Sequence, residues 1–272
     1  MSHYAVPVKQ PVVPAPAATL VLLRDRAAGG FEILLMQRHH ASKFAAGDFV
    51  FPGGKLEADD NPEDAVQWCA GLDLAGAART LHLEHAPTTA LGYWVGAIRE
   101  TFEEAGVLLA TTADGGPVRL PSARVADYRR AIQADNRAFW SMIKTEKLRL
   151  ATDRLVYFAH WVTPDGLPLR FDTRFFAAPM PDGQEAVSDE HEMISLRWLA
   201  PTEALEAHAR GELSLRNPTV RNLMLLEGHS VAAALDRLRG REVKTIRPKV
   251  VFDEHGKRRV FNPGDPGYDA LP

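Results

Sequence analysis

The sequence predicts an α/β sandwich, a mixed sheet between helical layers, built as one elaborated domain. Short β-rich apolar runs recur from Ala18 to Phe261 and alternate with segments of helical period. No internal repeat or low-complexity linker divides the 272 residues. Apolar residues make up 46% of the chain, enough for a substantial core.

Each element follows from local signals. Residues 1–17, rich in Pro, Ala and Val, read as an N-terminal arm; they lack the basic-then-apolar order of a secretion signal. The runs Ala18–Leu23 and Phe31–Met36 flank the polar turn Asp25–Gly30 and predict a hairpin. Gln37–Asp48 is polar and basic, and Phe49-Val50-Phe51 leads into a glycine turn. Asn61-Pro62-Glu63-Asp64 opens a short helix through Gly71, with proline in its first turn. The rest of the segment to Thr89 is expected to be helical. A long helix over Leu91–Leu109 follows, interrupted near Gly92 or Gly96. Ser122–Ile143 carries a second helical period, with Val125, Tyr128, Ile132, Phe139 and Met142 as its buried residues. Strands are expected at 155–162, 170–177 and 194–199, then a capped helix from Pro201. Another helix runs from Asn217-Pro218-Thr219 to about Arg239. A terminal hairpin spans Val243–Phe261, turning at Asp253–Gly256. The body is 18–240, with 61–90 as an insertion and 241–272 as a C-terminal extension.

Bulk properties exclude several functions. A net charge of −3 provides no broad basic surface for a nucleic-acid polymer. The single cysteine, Cys69, rules out an intrachain disulfide, reads as a packing residue and fits a reducing cytosol. No run is long and apolar enough to span a bilayer. Asp269-Ala270-Leu271-Pro272 is not a peroxisomal address, so a cytoplasmic protein is expected.

The chemistry is concentrated in Arg99-Glu100-Thr101-Phe102-Glu103-Glu104-Ala105-Gly106-Val107. Offsets of i, i+3 and i+4 place Glu100, Glu103 and Glu104 on one side of a helix within about one turn. Many acidic triplets are solvated faces. Here the apolar flanks Ala97-Ile98, Phe102 and Val107–Leu109 give the opposite face a core to enter. Crowded carboxylates favour a hard divalent cation such as Mg²⁺ or Mn²⁺. Upstream, Phe51-Pro52-Gly53-Gly54-Lys55-Leu56-Glu57 is a strand end breaking into paired glycines, where backbone can approach a ligand closely.

Together these residues resemble the Nudix box: a glycine, a spaced acid, then Arg-Glu-apolar-any-Glu-Glu-any-Gly-apolar. Gly54, Arg99, Glu100, Glu103, Glu104, Gly106 and Val107 fit in register. Asp60 stands where the pattern has glutamate, and Thr101 where it has an apolar residue. Residues 61–98 separate Asp60 from Arg99 where the pattern has seven, so the box is split. The mammalian Nudix-19 type and its bacterial relatives carry a long insert at this place, and the likeness runs from about Thr19 to Leu226.

The resemblance implies the Nudix form of the sandwich and hydrolysis of a diphosphate joining a nucleoside to another group. It implies Glu103 and Glu104 as metal ligands, Glu100 as third ligand or general base, and the Gly53 carbonyl as a further ligand. Arg99 would orient an acid, and Glu57 would bind metal or brace the loop. A second acidic group, Asp189-Glu190-His191-Glu192, offers Glu190 or Glu192 as a late ligand or base, or is a solvated loop. Arg38, Lys43, Gly47 and Phe51 match the spacing of an extra signature in Nudix coenzyme A diphosphatases, with His39 replacing its serine. Arg38 and Lys43 would then receive phosphate, unless that segment is a solvated basic loop. Arg174, in an alternating strand, is a further candidate for a phosphate. The substrate reading is therefore coenzyme A or an acyl-CoA, with ADP-ribose or another nucleotide conjugate as rival and a non-catalytic nucleotide sensor as a different class. The insert is a candidate homodimer surface.

Overall fold

The computed structural model describes residues 4–5, 12–42, 45–189, 192–252 and 258–271. In chain order, β1 (Tyr4–Ala5) and β2 (Ala15–Asp25) precede β3 (Phe31–Arg38), β4 (Phe49–Val50) and β5 (Gly53–Lys55). Helices α1 (Leu74–Leu81) and α2 (Pro87–Ala105) follow, then β6 (Ala110–Thr112), α3 (Ser122–Ala134), α4 (Ala138–Thr145) and β7 (Leu148–Leu150). Next come β8 (Val156–Val162), β9 (Phe171–Pro179), β10 (Met193–Leu199), α5 (Pro201–Ala209), α6 (Asn217–Leu223) and α7 (Val231–Arg239). Strands β11 (Thr245–Ile246), β12 (Lys249–Phe252) and β13 (Arg258–Phe261) close the chain.

The main sheet is mixed and runs β10-β3-β2-β9-β8-β11, with β4 on β3 and β5 on β2. Period-two alternation divides its side chains between two cores. Ala18, Leu20, Leu22, Leu34 and Met36 pack under α2 with α1, α3 and α4. Val21, Leu23, Ile33 and Leu35 face the opposite layer, built from α5, α6 and α7. Each such fully buried aliphatic side chain contributes about 1.5–3 kcal/mol. These two layers around one sheet are the expected sandwich.

Several elements differ from expectation. Helix α2 runs unbroken through Gly92 and Gly96. A Cβ at Gly92 would lie 3.3 Å from Asn61 and one at Gly96 3.0 Å from the Asp60 carboxylate, so both glycines admit the preceding loop instead of ending the helix. The helix expected through Gly71 is only a 3₁₀ turn over Ala65–Trp68, because Cys69 and Ala70 pair with Leu150 instead. The 122–143 period divides at Asp135, whose carboxylate accepts the Arg137 N–H. The 217–239 run divides as well, and Ser230 caps a fresh start at α7 by accepting from Ala233 N. Strand β2 starts at Ala15, inside the stretch read as an arm. Thr245–Ile246 joins the main sheet beside β8, while β12 and β13 form a small sheet with β1; the expected turn at 253–256 lies outside the described residues.

Candidate active site

Helix α2 starts on Pro87 and ends on Gly106, which takes the left-handed conformation at φ 69° and returns its N–H to Phe102 O. Its last turns carry Glu100, Glu103 and Glu104 along the flank that faces β5. Despite the long insert, the glycine bend and this ridge touch. Gly53 N donates to Glu104 Oε2 at 3.0 Å, and Arg99 Nη2 donates to Lys55 O at 3.1 Å. A Cβ on Gly54 would fall 2.5 Å from Glu100 Oε1, so only glycine lets the bend and the ridge meet. Gly54, Ala18 and Arg174 are register neighbours across β5, β2 and β9. The insert accommodates this contact because α1 packs against α2, burying Ala77, Ala78 and Leu81 in the shared core.

Arg99 organises the ridge. Its Nε and Nη2 donate to the two oxygens of Asp60 at 2.7 and 3.0 Å, while Nη1 bridges Glu100 at 3.0 Å and Glu103 at 2.8 Å. Arg99 and Asp60 are 2% and 1% exposed. Burial opposes the arginine's charge, but Asp60, Glu100 and Glu103 outweigh it and hold the guanidinium more firmly protonated than usual. Asp60 in turn accepts from Glu57 N, locking the loop after the bend. Arg99 thus contacts three acids, Asp60, Glu100 and Glu103, with one guanidinium.

The negative charge exceeds what Arg99 can balance. Burial first, and then repulsion from Glu103 and Asp60, pushes Glu100 up to about 7 against the pull of Arg99. Burial raises Glu103 as well, and it raises Glu104 well above the carboxylate range, with repulsion from Glu100 adding to the effect. Among the described residues no three carboxylate, imidazole or thiol groups already converge on one point. The geometry gives the reason: Arg99 Nη1 lies between Glu100 and Glu103, and Glu104 turns to Gly53. The donor set still suits a hard divalent ion, being oxygen-only, partly shielded from water, short of positive charge and next to the Gly53–Gly54 backbone.

The other expected residues fall in different places. Arg38 reaches the site: its Nη2 lies 3.4 Å from Glu192 Oε2, its charge lowers the Glu104 pKa, and its buried Nε has no hydrogen-bond partner among the described residues. Glu192 also acts on the ridge, raising Glu103 and Glu104. Lys43 and Glu190 lie outside the described residues. Glu57 is exposed, and no described hydrogen bond or ion pair joins its carboxylate to Glu100, Glu103 or Glu104. No described hydrogen bond or ion pair joins Arg174 to Glu100, Glu103 or Glu104. Arg174 is 5% exposed, stacked over Tyr93 and paired with Asp172 beside His160, because its register on β9 turns it into the core under α2. The His39 ring accepts from Ala41 N, and His40 packs at Gly47.

Sequence reasoning missed Arg129 of α3. Its Nε donates to Glu103 O at 2.9 Å and its Nη2 to Glu104 O at 2.8 Å. A signal was available, since Arg129 lies between Val125 and Ile132 at i+4 and i−3, on the apolar stripe where a cation requires a partner.

A family model for the NUDT19 Nudix domain matches residues 9–226. The acyl-coenzyme A diphosphatase NUDT19 of Homo sapiens is 29% identical over 225 residues, covering 72% of this chain and 60% of that protein. The Gallus gallus protein of the same name is 30% identical over 229 residues, covering 69% of this chain and 59% of that one. The chain thus spans about three fifths of the length of these relatives. The crystal structure of a NUDIX hydrolase from Alicyclobacillus acidocaldarius matches with a TM-score of 0.66 at 26% identity, over 82% of this chain and 94% of that one.

Proposed function

We propose, since this chain belongs to the Nudix family through its NUDT19 Nudix domain, that it is a divalent-metal-dependent diphosphatase. Its first candidate substrate is coenzyme A or an acyl-CoA, cut to 3′,5′-ADP and a 4′-phosphopantetheine. The observation that carries the reading is the contact between the Gly53–Gly54 bend and the ridge of Glu100, Glu103 and Glu104. The names of the relatives support the acyl-CoA choice.

Glu103, Glu104 and the Gly53 carbonyl would hold Mg²⁺ or Mn²⁺, with Glu100 as the third ligand or as the general base. Such an ion, when bound, neutralises the diphosphate and makes water more acidic. The chain's own residues supply the rest. In the role of base, Glu100 accepts the proton of the attacking water as the new P–O bond forms and the bond to the bridging oxygen breaks. Arg99 keeps Glu100 and Glu103 oriented from behind. Arg38 offers its guanidinium to phosphate beside the ridge. Glu190 is an alternative base.

The test is a panel of coenzyme A, acyl-CoA, ADP-ribose, NADH and diadenosine polyphosphates with Mg²⁺ or Mn²⁺. Coenzyme A should turn over fastest and dephospho-CoA more slowly. Equal rates for those two would remove the assigned phosphate role of Arg38 and Lys43. Tight binding without cleavage of any compound would make the chain a nucleotide sensor instead.

A further inference from the structure

We propose that Arg129 is a positioning residue that sets the register between the two halves of the site, the glutamate ridge and the Arg38–Glu192 pair. For its kinetic arm the inference rests on the diphosphatase reading above. The carbonyls at the end of α2 have no partner inside the helix. Phe102 O accepts from Gly106 N. Ala105 O accepts from Val187 N at 2.8 Å. Glu103 O and Glu104 O, the backbone of two ridge residues, are both taken by Arg129. The same guanidinium extends Nη1 toward Ser188 O at 3.4 Å.

The segment between β9 and β10 is therefore fastened to the ridge from two sides. Gln184 gives and takes a hydrogen bond with the Leu108 backbone at 2.9 and 2.8 Å, and Arg129 joins the next few residues to the ridge carbonyls. Asp189 accepts from the Glu192 and Met193 N–H groups at the start of β10. These bonds hold Glu192, whose backbone carbonyl also receives His39 N at 2.8 Å and whose carboxylate meets Arg38. Arg129 is 9% exposed, so its contacts are shielded from competing water. A lysine could keep the charge but could not span three carbonyls in one plane.

Mn²⁺ binding, read by electron paramagnetic resonance on the full chain, tests this together with coenzyme A kinetics and Tm. Arg129→Lys should weaken Mn²⁺ binding and lower kcat at saturating Mn²⁺, each roughly 10-fold or more, while KM for coenzyme A holds. Arg129→Ala should do the same more severely; should it fail to fold, the lysine variant decides. Arg149→Ala removes a guanidinium bond to Cys69 O at 2.8 Å, away from the ridge. It should lower Tm and leave the Mn²⁺ Kd and kcat as in the wild type. Wild-type Mn²⁺ Kd and kcat in Arg129→Lys would overturn the inference. So would Arg149→Ala reproducing the whole loss, because destabilisation alone would then suffice. If the wild type binds Mn²⁺ but cleaves none of the diphosphates, the functional reading falls and the Mn²⁺ comparison alone decides this one. A wild type that binds no Mn²⁺ overturns both.

Discussion

Arg99 meets three carboxylates, Asp60, Glu100 and Glu103, with one guanidinium, and this defines what single substitutions do. Glu103→Gln removes a proposed metal ligand and also relieves repulsion inside the ridge. The variant should fold with a Tm at or above that of the metal-free wild type and lose Mg²⁺-dependent turnover by roughly 100-fold or more. Normal turnover, measured as product release with Mg²⁺, would exclude the assignment. Asp60→Ala acts differently. It leaves Arg99 buried beside carboxylates without its two-pronged partner, and should cost about 3–5 kcal/mol in urea unfolding. A loss below about 1 kcal/mol would mean that water or a neighbour replaces Asp60 readily. The motif residues themselves were legible because their spacing mirrors one helical turn. Arg174 was not, since a strand's alternation allows either face and only the register across β2 shows that this one is the core.

Among the elements, the critical contact is α2 against β5. Gly54→Ala places a methyl group 2.5 Å from Glu100 Oε1, at a carboxylate already held by Arg99. The variant should lose most metal-dependent activity with a modest drop in Tm. Gly96→Ala would ordinarily gain up to about 1 kcal/mol of helix propensity. Here its Cβ would stand 3.0 Å from Asp60 Oδ2, on a side chain fixed twice by Arg99, so calorimetry should show a lower Tm. A raised Tm would indicate that the loop yields. The same glycines explain why the helix was expected to break. Propensity treats Gly92 and Gly96 as interruptions, whereas the packed loop needs both to have no side chain. The reverse holds at 217–239 and 122–143, where apolar spacing suggested single helices and the caps at Ser230 and Asp135 divide them. Strand order was not legible at all: β10 pairs with β3, and β9 runs parallel to β2. Such pairings depend on contacts between residues far apart in sequence.

For the whole molecule, the ridge makes stability depend on pH and metal together. Glu100 moves from 4.5 to about 7 on folding, mainly through burial. The unfolded chain releases that proton first as pH rises, so the stabilising contribution is complete below about 4.5 and is lost as pH climbs through about 7. In EDTA, Tm should fall across that window, and Glu100→Gln should flatten this part of the decline. Mn²⁺ should restore Tm more at pH 8 than at pH 5, because its ligands bind deprotonated. Equal Mn²⁺ effects at both pH values, read by thermal shift, would contradict this. Among the described residues no helix is long and apolar enough to cross a membrane. The 61–90 insert packs α1 on α2, and its proposed use as a dimer surface predicts a concentration-dependent mass in sedimentation that deletion or surface charge on α1 would abolish.

The most direct test of the central claim is anomalous diffraction from crystals soaked in Mn²⁺. A peak bounded by the carboxylates of Glu100, Glu103 and Glu104 and the Gly53 carbonyl is expected, with Arg99 still on Asp60. A strong peak elsewhere, with the glutamates still closed on Arg99, would contradict it.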